Sequence, residues 1–133
     1  MFDKEAIVSF FHERFGIPEK VFSDFEFVLT SKKCYMFSGK YEGAAEMKGL
    51  LLARLGRGIK PTTSAIQLIG RHATRNVIDI SEEKLNKYLM GYDIEADGDN
   101  GYVILRHGED IIGVGLLKSG VVKNQLPKHR RLR

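Results

Sequence analysis

GYVILRHGEDIIGVGLLKSGVVKN, residues 101–124, is the stretch of sequence that most directly indicates the fold. It contains three apolar runs rich in Val and Ile, separated by HGED at 107–110 and by a Ser-Gly pair at 119–120. Short β-branched runs between such turn sequences predict consecutive antiparallel strands. Gly113 and Gly115 lie within the second run, where they predict a bulge or a close approach of another segment. The C-terminal part of the chain is therefore expected to be a small β-rich module.

The residues before this stretch add one short strand and one helix to the predicted module. VIDI at 77–80 predicts the strand. Asp79 or Ser81 is placed to cap a helix whose first turn carries two glutamates, which the helix dipole favours. Gly91 is expected to end that helix, and the acidic sequence at 92–100 is expected to form a polar loop.

The N-terminal half predicts a helix packed on a β-hairpin. Residues 3–15 place three phenylalanines and an isoleucine near helical spacing, with Asp3 as the N-terminal cap and Gly16 as the stop. Pro18 predicts the start of a short helical turn. The alternating sequence at 24–38, interrupted by Ser-Lys-Lys, predicts two strands joined by a turn.

Residues 42–56 leave two alternatives open, because two glycines interrupt a pattern with helical spacing. One alternative is a helix, and the other is a short helix followed by a buried strand at 49–56. Pro61 and the two threonines after it then predict the start of another helix. The residues expected to form its buried stripe are Ala65, Ile66, Leu68 and Ile69.

Together these elements predict an α+β chain, with an N-terminal α/β part at 1–74 and a β-rich module at 75–133. A length of 133 residues suits one modest globular unit or two small subdomains that share a core. No apolar run approaches the roughly 20 residues of a membrane span, and the N-terminus lacks the features of a secretion signal. The single cysteine, Cys34, excludes an internal disulfide and is expected to be buried. The cytoplasm is therefore the expected location.

The basic residues are segregated along the sequence. Residues 54–75 and 111–133 together hold 11 of the 21 Lys and Arg residues and none of the 17 Asp and Glu residues. Segregation of this kind predicts a polyanionic partner more strongly than the formal net charge of +4 does. The alternative is a solvated basic face that binds no ligand.

No motif in the sequence indicates a cofactor or a reaction. The four histidines have no metal-ligand spacing, and one cysteine cannot complete a zinc site. The Gly-Val-Gly at 113–115 lies within a predicted hairpin, whereas a dinucleotide-binding motif lies between a strand and a helix. GRGIKPTT at 56–63 has Pro61 where a phosphate-binding loop needs a serine or threonine. The chain is therefore expected to bind no metal or cofactor, and no reaction class is indicated, although a small enzyme with a cryptic site remains a distant alternative.

The C-terminal sequence resembles the PUA-type RNA-binding module, which is named for pseudouridine synthases and archaeosine transglycosylases. One similar version is the C-terminal module of the Sun-type RNA cytosine-5 methyltransferases, which ends in a motif close to G-x-(V/L)-K-N-x-x-P-K. The positions that match are 101–105 in the first strand, Gly108, Ile112, Gly113 and Gly115 in the second, and Gly120, Val122, Lys123, Asn124, Pro127 and Lys128 in the final motif.

The other similar version is found in the NIP-type ribosome-biogenesis proteins, which carry an α/β pre-PUA domain before the PUA domain. Their hairpin, buried strand and last helix end resemble 24–38, 48–57 and 88–91 here. The resemblance therefore implies an α/β pre-PUA subdomain at 1–74 and a PUA-like small β-barrel at 75–133. The methyltransferases have a catalytic domain upstream of the module, and nothing like it precedes the module in this sequence. The resemblance thus implies RNA recognition without catalysis.

The expected RNA-binding residues are the cations of the two acid-free segments, because Lys and Arg neutralise phosphates. Asn124 is added because its amide offers a donor and an acceptor to a base or a 2′-hydroxyl; its alternative role is to cap the end of a strand. Within the C-terminal tail, residues 121–133, those up to about Leu126 are expected to be structural and those from Lys128 onward to be mostly solvent-facing. The predicted set is Arg54, Arg57, Lys60, Arg71, Arg75, Lys118, Lys123, Asn124, Lys128, Arg130, Arg131 and Arg133.

The expected function is recognition of structured tRNA or rRNA, in ribosome biogenesis or RNA modification. The expected partners are RNA and either a pre-ribosomal particle or an RNA methyltransferase, and no membrane is expected. The alternative is an accessory subunit that docks a methyltransferase lacking its own PUA domain, or another protein, through the basic tail. RNA predicts a steep salt dependence of binding, whereas a protein partner predicts a weak one.

Overall fold

The computed structural model describes residues 2–38 and 49–132. Those residues form an antiparallel sheet from the N-terminal half and a mixed, curled sheet from the C-terminal half, with helices packed against both. This arrangement confirms the predicted α+β class.

Helix α1 (Lys4–Phe15) opens the fold and is followed by a single 3-10 turn at Glu19–Phe22. The Asp3 carboxylate accepts a hydrogen bond from the Ala6 N–H at 2.9 Å and so caps the helix. Gly16 ends the helix with a φ of 69°, in the left-handed region that favours glycine. Both predicted caps of α1 are confirmed.

The first sheet is a meander of four described strands in sequence order. They are β1 (Phe25–Leu29), β2 (Lys33–Ser38), β3 (Leu50–Leu55) and β4 (Ile59–Pro61). Strands β1 and β2 form the predicted hairpin. Strand β3 confirms the alternative that placed a strand at 49–56, while the earlier part of that ambiguous segment, 42–48, lies outside the described residues.

Helix α2 (Thr63–Ile69) begins where it was predicted to begin, because the Thr62 hydroxyl accepts a hydrogen bond from the Ala65 N–H at 3.1 Å. Its buried residues are Thr63, Ala65, Ile66 and Ile69. The prediction that Leu68 is buried is wrong, since its side chain is 50% exposed. At 100° per residue, Leu68 falls roughly 130° around the helix from the centre of the buried stripe.

The C-terminal part contributes β5 (Val77–Asp79), α3 (Glu82–Leu89), β6 (Ile94–Glu95), β7 (Gly101–His107), β8 (Asp110–Lys118) and β9 (Val121–Asn124). The sheet order is β5-β7-β8-β9-β6, with β5 parallel to β7 and the other neighbours antiparallel. This arrangement confirms the three strands predicted at 101–124, the short strand predicted before them and the predicted helix.

Two details of this part differ from the sequence-based expectations. Ser81 is the cap of α3, since its hydroxyl accepts a hydrogen bond from the Lys84 N–H at 3.3 Å, whereas Asp79 binds Arg106 instead. The segment at 92–100 is not entirely a loop, because β6 lies within it and pairs with β9. Pairing with a distant strand stabilises that two-residue strand, so local sequence carries no signal for it.

Both glycines of β8 lie where another segment approaches closely, as predicted. A Cβ at Gly113 would lie 2.7 Å from the hydroxyl oxygen of Tyr88, and a Cβ at Gly115 would overlap the side chain of Val122. The pairing of β7 with β8 also shifts by one residue at Ile112, next to Gly113, so the predicted bulge is present.

The two halves share a hydrophobic core. Its larger cluster combines buried side chains of α1 and the first sheet with Ile104 of β7 and Val114 of β8. Helix α2 contacts both β3 and β8 and so bridges the two sheets. A smaller cluster, which includes Tyr88 and Leu117, fills the curled sheet beneath α3. The positions of the N-terminal cations are thereby fixed relative to the C-terminal tail.

Candidate nucleic-acid interface

A groove of about 630 Å³ lies between the first sheet, the start of α2 and the C-terminal tail. The first sheet contributes Arg54 and Lys60, and the tail contributes His129 and Arg130. None of the described residues that line it is an Asp or Glu. The other lining residues are Gly49, Leu50, Leu51, Pro61, Thr62, Thr63, Ser64, Gln125 and Pro127. The groove therefore brings together members of two basic segments that lie far apart in the sequence.

Arg54 and Lys60 meet because the pairing of β3 with β4 places them directly opposite each other. The hairpin between the strands is closed by the Gly56 N–H, which donates to the Gly58 carbonyl at 3.1 Å. Directly opposed residues of an antiparallel pair share a side of the sheet, with their Cβ atoms about 5 Å apart. Two exposed like charges at this distance repel each other, and an anion bound to both relieves that repulsion.

Asn124 directs the tail toward the groove. Its amide N–H groups donate to the carbonyls of Tyr88 at 2.7 Å and Tyr92 at 2.9 Å. Its amide oxygen accepts from the Leu126 N–H at 2.9 Å, and its backbone N–H donates to the Asp93 carboxylate at 2.8 Å. These contacts are those of the capping alternative, and they leave neither amide N–H free to bind a base.

Beyond Pro127 the tail forms one 3-10 turn, Lys128–Arg130. The chain is anchored just before the turn by Leu126, which is buried. One guanidinium N–H of Arg130 donates to the side-chain oxygen of Gln67 on α2 at 3.3 Å, which ties the turn to the N-terminal half. The ammonium group of Lys128 is exposed and makes no hydrogen bond or ion pair within the described ranges.

The end of the tail is more ordered than the sequence predicted. Arg131 is half-buried, and its Nε–H donates to the Leu126 carbonyl at 3.1 Å. Its side chain lies against Gly91, where a Cβ would be 2.6 Å from the Cδ of Arg131. Leu132 donates its N–H to the last carbonyl of α3 at 2.7 Å. The expectation of a solvent-facing charge is therefore wrong for Arg131, because the tail folds back on α3, while Arg133 lies outside the described residues.

The other predicted cations of the first basic segment do not line the groove. Arg57 is exposed in the turn between β3 and β4. Arg71 is exposed after α2, where its Nε–H donates to Nε2 of His72 at 3.3 Å. Arg75 donates to two carbonyls in the last turn of α1, at 2.8 and 2.9 Å, so its guanidinium closes the end of that helix.

Lys118 and Lys123 lie on β8 and β9, also outside the groove lining. Lys118 is exposed at the end of its strand. Lys123 is paired, with its Nζ 3.5 Å from a carboxylate oxygen of Asp93. The structure therefore places three of the predicted residues, Arg54, Lys60 and Arg130, around one groove and distributes the other described ones elsewhere.

Arg54 and Lys60 differ from several other cations in having no carboxylate partner among the residues that the structure describes. Arg106 donates two hydrogen bonds to Asp79, at 2.7 and 3.0 Å, and these hold the pKa of the Asp79 carboxyl below its usual value. By contrast, Arg54 and Lys60 form no ion pair with any residue in the described part of the chain. Neighbouring cations of this kind attract phosphate groups.

Sequence reasoning missed three polar residues near this site. His129 and Ser64 line the groove, and Lys33 on β2 lies directly opposite Arg54. His129 belongs to the basic tail, so its position beside Arg130 was a usable signal. The sequence contains no such signal for Lys33 and Ser64, because strand register and helix docking decide which polar side chains share a surface.

A curled β-module whose basic tail borders a cationic groove suits a nucleic acid as its ligand. Residues 75–132 match the family model described as the Methyltransferase RsmF PUA domain. These residues are therefore a PUA domain, and the resemblance of this part of the chain to the methyltransferase module is confirmed. The PUA domain is an RNA-binding module, and its presence implies RNA binding. No curated protein matches the chain.

The PUA domain is itself non-catalytic, although it also occurs in methyltransferases. Within residues 2–38 and 49–132, no group of three or more His, Cys, Asp or Glu side chains is arranged to hold a metal ion. Nor is any helix in those ranges both long and apolar enough to cross a membrane.

Proposed function

We propose that the protein recognises structured tRNA or rRNA through the groove, in ribosome biogenesis or RNA modification. The observation that carries this proposal is the groove lining, which holds no Asp or Glu among its described residues and to which the N-terminal sheet contributes Arg54 and Lys60 and the PUA domain contributes His129 and Arg130. Cations on both walls suit a folded RNA, because such an RNA presents phosphates of more than one strand to a single surface.

The choice of RNA rests on resemblance. The NIP-type likeness of the N-terminal half supports a place in ribosome assembly, and the match to the PUA domain of a methyltransferase supports a place beside RNA modification. In this proposal the chain supplies RNA binding in the cytoplasm and performs no chemical step, and a separate protein carries any modification activity.

Salt dependence of RNA affinity tests the proposal, because each phosphate that the protein neutralises releases counterions. Arg54→Ser, Lys60→Ser and Arg130→Ser should each reduce the slope of log affinity against log salt for a tRNA transcript or an rRNA hairpin. The expected reduction is about 0.7 to 0.9 for each phosphate that the variant no longer neutralises. Lys87→Ser is the matched control, since Lys87 is a cation of α3 outside the groove lining and pairs with Glu83 at 3.7 Å. Unchanged slopes in all three groove variants would reject the groove as the RNA site.

A second role, docking of an RNA methyltransferase or another protein, is favoured by one observation. Met90, Tyr92 and Leu132 are 49%, 59% and 57% exposed, and they lie where the tail packs on the end of α3. Exposed apolar side chains grouped together are a common feature of protein-binding surfaces. This role predicts an affinity for a methyltransferase lacking its own PUA domain that depends little on salt and is abolished in Leu132→Ser, with RNA affinity unchanged.

A further inference from the structure

The side of the first sheet that points away from the core carries an ordered pattern of aromatic and basic side chains. Successive residues of a strand point to opposite sides of a sheet. Cys34 and Met36 of β2 are buried in the core. Lys33, Tyr35 and Phe37 therefore lie on the other side, called the outer face here, and each of them is only partly buried.

Strand pairing places Lys33 in line with two other cations. Lys33 of β2 is paired with Arg54 of β3, and Arg54 is paired with Lys60 of β4. Paired residues share a side of the sheet, so these three side chains form one row across three strands, the basic row. Like charges directly opposite each other destabilise a sheet, and a polyanion lying along the row removes that penalty.

An apolar row runs beside the basic row, two residues further along β2 and three along β3, where the pairing shifts by one residue. It consists of Val28, Tyr35 and Leu51, which pair across β1, β2 and β3. Val28 is 48% exposed, so solvent reaches this row. The two rows are separated by about 7 Å, given the rise of about 3.3 Å per residue in a strand.

A second aromatic ring follows on the same strand. Phe37 packs over the backbone at Gly49, where a Cβ would be 2.6 Å from the ring. Glu26 is opposite Phe37 and brings an acidic group to this end of the face. Phe37 is four positions along β2 from Lys33. Because Glu26 is opposite Phe37, it lies about 13 Å along the strands from the basic row. That separation exceeds the Debye length of about 8 Å at physiological salt, so the row keeps its attraction for anions.

We infer that the outer face binds a single-stranded RNA segment, with its phosphates along the basic row and its bases stacked on Tyr35 and Phe37. Aromatic rings beside a line of cations suit this ligand, because every base offers a π-face and every nucleotide a phosphate. The inference rests on the proposed function and deepens it. Arg54 and Lys60 also line the groove, so an RNA held in the groove can continue onto the outer face.

The same pattern disfavours a protein as the occupant. Protein–protein interfaces usually have an apolar centre, with charged residues confined to the rim. Here the apolar row adjoins three cations that form no ion pair within the described part of the chain. Burying them against a neutral protein surface would remove their hydration without a compensating charge.

A tryptophan reporter tests the stacking directly. The sequence contains no tryptophan, so Tyr35→Trp introduces a single indole on the outer face. Titration with an unstructured oligouridylate of about ten nucleotides, within the usual range of single-strand site sizes, should quench its fluorescence as bases stack on the ring. Tyr92→Trp is the matched control, because Tyr92 is another exposed tyrosine, located after α3 and away from the first sheet. Its fluorescence should stay unchanged.

Affinity measurements separate stacking from phosphate binding. Tyr35→Ala should weaken oligouridylate binding about tenfold, within the range measured for removal of one stacking ring, without changing the log-salt slope. Tyr35→Phe keeps the ring and should bind as the wild type does. Lys33→Ser should instead lower the slope by about 0.7, the value for one neutralised phosphate of a single strand.

The outcomes distinguish this inference from the proposed function. Suppose that Arg130→Ser weakens binding of structured RNA, that Tyr35→Ala leaves the affinity for oligouridylate unchanged, and that oligouridylate does not quench the fluorescence of Tyr35→Trp. The outer face is then not an RNA surface, and the groove proposal stands. If the wild-type chain binds no structured RNA, the proposed function fails. Quenching in Tyr35→Trp alone, with Tyr35→Phe retaining affinity, establishes the stacked single strand.

Discussion

The hydroxyl group of Tyr88 lies over Gly113, so close that a Cβ on residue 113 would be 2.7 Å from the oxygen. Tyr88 is fully buried, and its O–H donates to the Val114 carbonyl at 2.9 Å. Packing holds the ring, so an alanine at residue 113 must displace it. We expect Gly113→Ala to lower the free energy of unfolding by about 1–3 kcal/mol, the usual cost of overpacking, as measured by urea denaturation.

A double-mutant cycle identifies the obstructing atom. Tyr88→Phe removes the hydroxyl oxygen, so the cost of Gly113→Ala should be smaller in the Tyr88→Phe chain than in the wild type. Gly115→Ala is the comparison, because it collides with Val122 and its cost should be the same with or without the hydroxyl. Equal costs of Gly113→Ala in the two backgrounds would show that the oxygen is not the obstacle.

The same tyrosine makes stability depend on pH in alkaline solution. Burial raises the pKa of Tyr88 to about 12 from an ordinary value near 10. The folded state thus holds this proton more tightly than the unfolded state does. The free energy of unfolding should fall as pH rises from about 10 to about 12, by at most about 2–3 kcal/mol from this group. Tyr88→Phe lacks this part of the decrease, so its stability should approach that of the wild type across that range.

Cys34 supplies an internal control for the alkaline experiment. Burial raises the pKa of its thiol to about 11 from an ordinary value near 9, so its part of the decrease should fall between about pH 9 and 11. Cys34→Ala should therefore flatten the lower part of the curve and Tyr88→Phe the upper part. Stability curves that run parallel for wild type and Tyr88→Phe from pH 10 to 12 would contradict the raised pKa of Tyr88.

Local signals explain why much of the fold was predictable from sequence. Asp3 and Gly16 mark the ends of α1 because a carboxylate cap and a left-handed residue act within one turn of the helix. The strands of the opening stretch are joined by short turns, which fix both their order and their pairing. In such segments the residues that decide the structure are neighbours in the chain.

The composition of the candidate site was less predictable, because it depends on tertiary contacts that the sequence does not reveal. Arg75 and Arg131 read as free cations in acid-free segments, yet Arg75 binds carbonyls at the end of α1 and Arg131 binds the Leu126 carbonyl. Arg54 and Lys60, six residues apart, share a row only because of the β3–β4 register. Tertiary contacts therefore decide which cations remain available to a ligand.

This distinction predicts different roles for two cations of the tail. Arg131→Ser removes the hydrogen bond to Leu126 and the packing of its stem on Gly91, so it should lower the free energy of unfolding by about 1–2 kcal/mol. Lys128→Ser should change stability by no more than about 0.5 kcal/mol, because Lys128 is an exposed surface residue. Urea denaturation of the two variants tests this, and equal stabilities would mean that the tail contributes nothing to the fold through Arg131.

A parallel contrast applies to the two cations between α2 and β5. Arg75→Ala removes the hydrogen bonds to the Glu13 and His12 carbonyls at the end of α1, of which the His12 carbonyl still accepts from the Gly16 N–H, and should cost about 1–2 kcal/mol of unfolding free energy. Arg71→Ala serves as the control, because Arg71 is exposed and, among the described residues, its side chain binds only the adjacent His72. If RNA affinity falls in Arg71→Ala with unchanged stability, the RNA surface extends beyond the groove to this side of the molecule.

The basic row should leave a measurable trace in stability even without RNA. Arg54 lies opposite a lysine on each side, so Arg54→Ser removes two repulsive pairs, Lys33 with Arg54 and Arg54 with Lys60. At an ionic strength of about 0.01 M, where the Debye length is about 30 Å, the variant should be more stable than the wild type by a few tenths to about 1 kcal/mol. At about 1 M salt the Debye length is about 3 Å, and the advantage should shrink toward zero. Lys87→Ser should behave in the opposite way, because it removes the attraction between Lys87 and Glu83. An Arg54→Ser chain that is less stable than the wild type at low salt would mean that the row is not repulsive, and the case for an anion along it would fall.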